Sequence, residues 1–190
     1  MSILLALLLA VPASAPAAAA APAPSTLRVD VQHSGSAERE AWALERVVVE
    51  PLPWPGNPAR PVDDSNLGVN RFEVLDAATG KLLYSRGYAT IFGEWRTTDE
   101  AKSLARSFQE SLRFPMPTGP VDLRVSRRDA NNTFVAAWTA RIDPSALDVE
   151  RAPAPAPATP LRIHYSGDPA TKVDLLILGD GYTAAELPKF

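Results

Sequence analysis

The sequence contains no cysteine, and this absence excludes several classes of protein at once. Disulfide bonds cannot stabilise the fold, a lipid-anchored cysteine cannot follow a leader segment, and a cysteine nucleophile is excluded. Stability must therefore come from a hydrophobic core. A chain of 190 residues is long enough to bury one.

Histidine is nearly absent as well, because only His33 and His164 are present. A zinc site needs three or four converging ligands, commonly two histidines one helical turn apart. The sequence has no His-Glu-x-x-His stretch, no Gly-x-Ser-x-Gly elbow, and no third glycine after Gly179-Asp180-Gly181 to complete a dinucleotide fingerprint. We therefore expect both histidines to be surface strand residues, and we assign no catalytic, cofactor-binding or metal-binding residue.

Long apolar runs and excess positive charge are also missing. The net charge is −3 and no basic cluster occurs, which argues against nucleic-acid binding.

The longest apolar run, residues 3–11, is too short for a stable membrane anchor, which needs roughly 20 residues. Small residues follow it, so residues 1–21 resemble a signal peptide with cleavage near residues 15–24, although no basic residue precedes the run. The prediction is a secreted or periplasmic protein. The alternative, a buried N-terminal helix, conflicts with the four prolines at Pro12, Pro16, Pro22 and Pro24.

Residues 26–150 have the pattern of strands. Apolar and polar residues alternate from Leu27 to Gln32, and turn-forming residues separate about seven such segments. Short loops at 76–80 and 129–133 predict two hairpins, with the chain reversing at Gly80 in the first. One strand is predicted at Trp42–Leu52, and the prolines from Pro51 onward predict that it ends there and that a long loop runs to about Gly68. Residues 98–107 are the exception and predict a short helix. The predicted fold class is mainly β, a β-sandwich of the immunoglobulin-like or jelly-roll-like kind.

The composition changes after the predicted sandwich. Residues 151–160 alternate alanine and proline, which predicts a semi-rigid linker. Residues 161–165 and 173–178 then read as strands, followed by a glycine-rich turn and the start of a helix. Residues 161–190 therefore resemble the opening of an α/β domain, and the expectation is that the chain is truncated inside it.

Three further groups of residues could carry a function, each with a plainer explanation. Asp180 follows a strand, where a carboxylate could bind a cation, but it could equally accept hydrogen bonds within its turn. Asp63 and Asp64 are weak evidence for calcium, which needs 6–8 oxygen ligands. Side chains of three aromatic residues could form a sugar-stacking platform, or they could belong to the core: Trp54, Trp95 and Tyr88.

Several longer stretches of the sequence resemble the N-terminal domain of the IgA peptidase family, family sixty-four of the metallopeptidases. They are residues 47–58 (VVVEPLPWPGNP), 84–88 (YSRGY), 91–95 (IFGEW) and 110–115 (ESLRFP). Residues 173–183 (VDLLILGDGYT) resemble the start of its peptidase domain.

The resemblance implies a prodomain-like or accessory β-sandwich followed by a secreted zinc endopeptidase of the His-Glu-x-x-His type. The zinc ligands and the general base would then lie beyond Phe190, so no catalytic residue of the family maps onto this chain. The implied cofactor is zinc in the missing domain, and the implied partners are that peptidase domain and a protein substrate. The alternative is a free-standing extracellular module that binds carbohydrate or a cell surface.

Overall fold

The computed structural model describes residues 24–157, 162–167, 172–173, 175–177, 183 and 186. The signal peptide predicted at residues 1–21 and the turn around Asp180 lie outside the described residues, so both stay predictions. None of the helices in the described part has the length and apolarity to span a bilayer.

Two four-stranded sheets form the fold, and the prediction of a mainly β structure is confirmed. The first sheet has the order β5-β1-β2-β8 and the second the order β4-β3-β6-β7. All neighbouring strands are antiparallel except β8, which lies parallel to β2 at Val48 and Val49. The strand bounds are β1 Ser25–Gly35, β2 Glu40–Pro53, β3 Asn70–Asp76, β4 Leu82–Tyr88, β5 Arg106–Pro115, β6 Val121–Arg128, β7 Phe134–Ile142 and β8 Glu150–Arg151.

Both predicted hairpins are present. In the β3–β4 turn, Gly80 has a φ of 70° and the Asp76 carboxylate accepts a hydrogen bond from the Thr79 amide at 2.8 Å. In the β6–β7 turn the left-handed position is Asn132, with a φ of 62°, and the Asp129 carboxylate accepts from the Thr133 amide at 2.8 Å. An Asx side chain thus fixes each turn by replacing a backbone acceptor.

The core lies between the two sheets and is built from the alternate residues of each strand. Its members are fully or nearly fully buried, and aromatic rings fill the region toward the Ser25 end of β1. The ring of Phe72 lies 5.7 Å from that of Tyr84 and 6.4 Å from that of Phe114. Trp54 packs edge-on against Tyr84 at 5.5 Å. We call these four residues the aromatic end of the sandwich.

Strand β2 agrees with the segment predicted at Trp42–Leu52 and continues through the prolines to Pro53, because a bulge lets Ser25 pair with Pro53 while Thr26 pairs with Glu50. A bulge tolerates proline since its residues need not donate to the ladder. The helix expected at 98–107 is reduced to a 3₁₀ turn at Glu100–Lys102, and β5 begins soon after it.

A short helix that the sequence pattern did not indicate, α1 at Ile91–Trp95, follows β4. The Thr90 hydroxyl caps it by accepting a hydrogen bond from the Gly93 amide at 2.9 Å. Phe92 on this helix is fully buried, so α1 closes one end of the sandwich.

After β8 the described residues have no regular secondary structure. Ala152 still donates a backbone hydrogen bond to Val49 at 3.0 Å, and residues 153–157 are exposed. The strands predicted at 161–165 and 173–178 are not confirmed, because residues 162–166, 173 and 175–177 are not in strands and their side chains are exposed.

Candidate functional site

The most unusual site in the described residues is a group of charged side chains inside the sandwich. Its centre is His33 on β1, whose side chain is fully buried. The expectation of a surface histidine was therefore wrong. Its imidazole lies between two aromatic rings, 4.2 Å from Trp42 and 4.0 Å from Phe92. His33 continues the alternation of Leu27, Val29 and Val31, which places it on the inner face of β1.

Both nitrogens of this imidazole contact carboxylates. Nδ1 lies 2.6 Å from Oε1 of Glu110 on β5, and Nε2 lies 2.9 Å from Oε1 of Glu40 at the start of β2. An ionised carboxylate only accepts hydrogen bonds, so this arrangement favours the doubly protonated imidazolium, in which both nitrogens donate. Burial alone would lower the pKa of His33, but the hydrogen bonds that the imidazole makes to the carboxylates of Glu110 and Glu40 outweigh it, and the pKa is raised.

Glu40 connects the two sheets. Its Oε2 accepts from Arg127 on β6 and from Arg96, just after α1. Burial acts to raise the pKa of Glu40, yet the hydrogen bonds from His33 and Arg127 dominate and lower it. Two carboxylates thus meet three cationic groups. We call His33, Glu40, Arg96, Glu110 and Arg127 the ionic end of the sandwich.

Two polar atoms beside the ionic end are buried without a hydrogen-bond partner among the described residues: the Tyr88 hydroxyl and Oε2 of Glu110. Burial, followed by the charges of Glu110 and Glu40, raises the pKa of Tyr88, so its hydroxyl is a neutral donor and acceptor. Both residues line a groove of about 250 Å³ between residues 88–91 and residues 108–112. We call it the side groove. A buried polar atom without a partner costs free energy, so these two atoms make the ionic end less stable than a fully paired network would be.

The aspartates proposed for calcium have other partners. Asp63 accepts hydrogen bonds from the Ser65 amide at 2.9 Å and the Gly87 amide at 2.8 Å, and these bonds tie the long loop to β4. The hydroxyl of Ser65 and these backbone amides lower the pKa of Asp63. Asp64 pairs with Arg60 at 2.5 Å. Within the described part of the chain, no group of three or more His, Asp or Glu side chains is arranged to hold a metal ion.

The structure does not bring together the three aromatic residues considered for sugar stacking. Trp54 is 8% exposed and belongs to the aromatic end. Tyr88 packs edge-on against Phe72 at 5.9 Å, and Trp95 lies 5.6 Å from Phe108 beside α1. The plainer explanation, that these rings are mostly core, is the one that the structure supports. His164 is exposed, as expected for a surface residue.

Sequence reasoning missed Glu40, Glu110, Arg96 and Arg127 because they are far apart in the chain. One signal was available. On a strand whose inner face is apolar, a charged residue in phase with the core is expected to have a buried partner, and Glu110 is in phase with Leu112 and Phe114. His33 is in phase with Val31 in the same way.

Comparison with known proteins gives one clear result. A search of the curated proteins finds no match to this chain. The family model described as peptidase M64 N-terminus matches residues 20–139, which include β1 to β6 and most of β7. The match covers more than half of the chain and both sheets of the sandwich, and on that ground the chain belongs to the peptidase M64 N-terminus family.

Proposed function

We propose that this chain is the non-catalytic N-terminal region of a secreted zinc metalloendopeptidase, whose zinc ligands and general base lie in a further peptidase domain. The observation that carries the proposal is the family match, because it coincides with the sandwich and not with residues 161–190.

The sandwich positions the peptidase domain and shields or recruits its protein substrate. This role is supported by the way the chain leaves the sandwich. Strand β8 pairs with Val48 and Val49 of β2, and the Ala152 amide adds one more bond to Val49, so the exit point is held against a central part of the fold. The alternating alanines and prolines that follow favour extended backbone. A semi-rigid spacer limits how far the two domains separate.

Export of the protein rests on residues 1–21. An uncharged leader with an apolar run and small residues after it is typical of secretion. Expression with the native leader and N-terminal sequencing of the mature protein should give a start between residues 15 and 24. Retention of Met1 in the exported fraction would contradict this part of the proposal.

The sharpest test of the proposal is the reading frame after codon 190. We expect it to encode a His-Glu-x-x-His stretch. The longer product should hydrolyse proteins, and 1,10-phenanthroline should abolish that activity, while the 190-residue chain alone should be inactive. A glutamine in place of the glutamate of that stretch is the matched inactive control.

Two results would overturn the proposal. One is zinc-dependent proteolysis by the purified 190-residue chain. The other is a stop at codon 191 together with a folded product that binds glycans, which would identify a free-standing carbohydrate module instead. Trp54→Ala would not test that alternative cleanly, since Trp54 is a core residue.

A further inference from the structure

The surfaces at the two ends of the sandwich differ in chemistry. At the end where β1 begins, the surface includes residues 51–53, which close β2, and residues 115–120, which connect β5 to β6. Neither segment contains a charged side chain. At the opposite end, residues 36–39 and 96–102 carry charges of both signs. We call residues 51–53 and 115–120 the proline-rich surface.

The two segments of the proline-rich surface flank the start of β1. Pro53 pairs with Ser25 from one side, and the Met116 amide donates to the Ser25 carbonyl at 2.7 Å from the other. Neighbouring strands lie roughly 5 Å apart, so the two segments are separated by about 10 Å. They therefore form one continuous patch at the end of the first sheet.

The proline-rich surface is apolar and rigid. Leu52 is 57% exposed, and Met116 packs against the core while it stays partly accessible. Proline has a fixed φ, so a backbone rich in it loses little conformational entropy when a partner binds. The centres of protein–protein interfaces are depleted of charge and enriched in methionine. This patch therefore has the chemistry of a protein interface, and its prolines are Pro51, Pro53, Pro115, Pro117 and Pro120.

The chain leaves the sandwich in the direction of this surface. Strand β8 is parallel to β2 and Arg151 pairs with Val49, so the residues that follow run toward Pro53. The Ala152 amide supports this course by donating to the Val49 carbonyl at 3.0 Å. Residues 50–53 separate Val49 from the end of β2, a distance of about 13 Å in a strand.

The length of the linker limits where the next domain can lie. In an extended, proline-rich conformation, residues 153–160 span about 25 Å. About 13 Å of that length is needed to reach Pro53, which leaves about 12 Å beyond the proline-rich surface. A domain that begins at residue 161 is therefore held next to this surface. A tether this short gives an effective concentration on the order of mM, so even a weak contact is formed most of the time.

We propose that the proline-rich surface is the face on which the peptidase domain beginning at residue 161 docks. This inference rests on the proposed function, which supplies that domain. Leu52 and the prolines of both segments are buried between the two domains, and the charged loops at the opposite end stay in solvent. Docking fixes the orientation of the peptidase domain, because a linker limits distance but leaves rotation free.

The absence of cysteine from these 190 residues allows a direct test by thiol labelling. Leu52→Cys is made both in the 190-residue chain and in the longer protein that the extended reading frame encodes. The matched control is Ile91→Cys, because Ile91 is 71% exposed at the opposite end. The rate of reaction with a maleimide is measured by mass spectrometry of the peptide that carries the introduced thiol.

We expect Leu52→Cys to react roughly tenfold more slowly in the longer protein, because the tethered domain covers it most of the time. Ile91→Cys should react at rates within about twofold of each other in the two proteins. Equal rates for Leu52→Cys in the two proteins, or equal protection at Ile91→Cys, would overturn the proposal.

A charge in the contact provides a second test. Thr118 is exposed within the proline-rich surface, so Thr118→Cys should also be protected in the longer protein. Adding Leu52→Asp should restore the rate of the 190-residue chain, since burying an unpaired carboxylate is costly. Adding Ile91→Asp should leave Thr118→Cys protected. Protection of Thr118→Cys that survives Leu52→Asp would contradict the docking face assigned here.

The failure of this inference and the failure of the proposed function give different results. Phenanthroline-sensitive proteolysis by a longer protein in which Leu52→Cys is not protected refutes the inference and leaves the proposed function intact. Protection of Leu52→Cys in a longer protein that lacks a His-Glu-x-x-His stretch and proteolytic activity refutes the proposed function and supports docking of another kind of domain at this surface. A stop at codon 191 refutes both.

Discussion

The two ends of the sandwich use different physics to hold the same pair of sheets together. At the aromatic end, Trp54, Phe72, Tyr84 and Phe114 pack ring against ring with centroids 5.5–6.5 Å apart. At the ionic end, His33 and Glu40 join β1 and β2 to Arg127 on the other sheet through charged hydrogen bonds. Apolar packing is non-directional, whereas buried charges need particular partners.

The two ends also differ in how completely their buried groups are satisfied. The aromatic end is a closed structural core, and each of its four rings is largely buried. The ionic end leaves Oε2 of Glu110 and the Tyr88 hydroxyl without partners. A network of buried polar groups that is only partly satisfied costs free energy. The aromatic end is therefore completely packed, whereas the ionic end carries the cost of two unpaired polar atoms among the described residues.

The largest effect on stability is expected at the aromatic end. Phe114 is fully buried, so Phe114→Ala should lower the free energy of unfolding by roughly 3–5 kcal/mol, measured by urea denaturation. The loss should be the same from pH 5.5 to pH 9, because no titrating group is removed. The control is Leu147→Ala at a fully exposed position, which should change the free energy by less than about 0.5 kcal/mol. A strongly pH-dependent loss in Phe114→Ala would remove the distinction between the ends.

A somewhat smaller loss is expected from Glu40→Gln. The substitution keeps the shape of the side chain but leaves His33, Arg96 and Arg127 with one carboxylate between them. Removing one partner of a buried ion pair costs roughly 3–5 kcal/mol, and we expect a value near the lower limit since the amide oxygen still accepts a hydrogen bond. The matched control is Glu38→Gln, at an exposed position nearby. Equal stabilities of the two variants would show that the ionic end contributes nothing.

The smallest effect is the pH dependence of the ionic end. The folded-state pKa of His33 is raised, so its stabilising contribution is complete below the unfolded value of about 6.5 and is lost as pH rises through the folded value. The free energy of unfolding should fall over that window. The groups that face His33 are Glu40, Glu110 and, through Glu40, Arg96 and Arg127.

Two histidine variants isolate this effect. His33→Gln should be less stable at pH 6 and should lack the decline above pH 6.5, whereas His164→Gln should keep it because His164 is exposed. A decline of the same size in His33→Gln would assign it to another group and would contradict the protonation state inferred for the imidazole.

Much of the fold could be predicted from local pattern. The alternation of apolar and polar residues predicted seven of the eight strands. The loops Asp76–Gly80 and Asp129–Thr133 predicted both hairpins. Short features were harder to predict. The helix α1 has only five residues and is stabilised by burying Phe92 more than by its own sequence. Strand β8 has two residues and is defined by its pairing with β2, which no local pattern encodes.

The sequence by itself determined that this protein lacks cysteine and is mainly β over residues 26–150, because composition, strand alternation and turn chemistry are local properties. Only the tertiary structure decided that His33 is buried between two carboxylates and that Trp54 is core. Those facts depend on Glu40, Glu110 and Arg127 meeting across two sheets, and on a bulge that returns the chain at Pro53 beside Ser25. Burial and charge pairing are set by residues distant in sequence, so no reading of single segments could have supplied them.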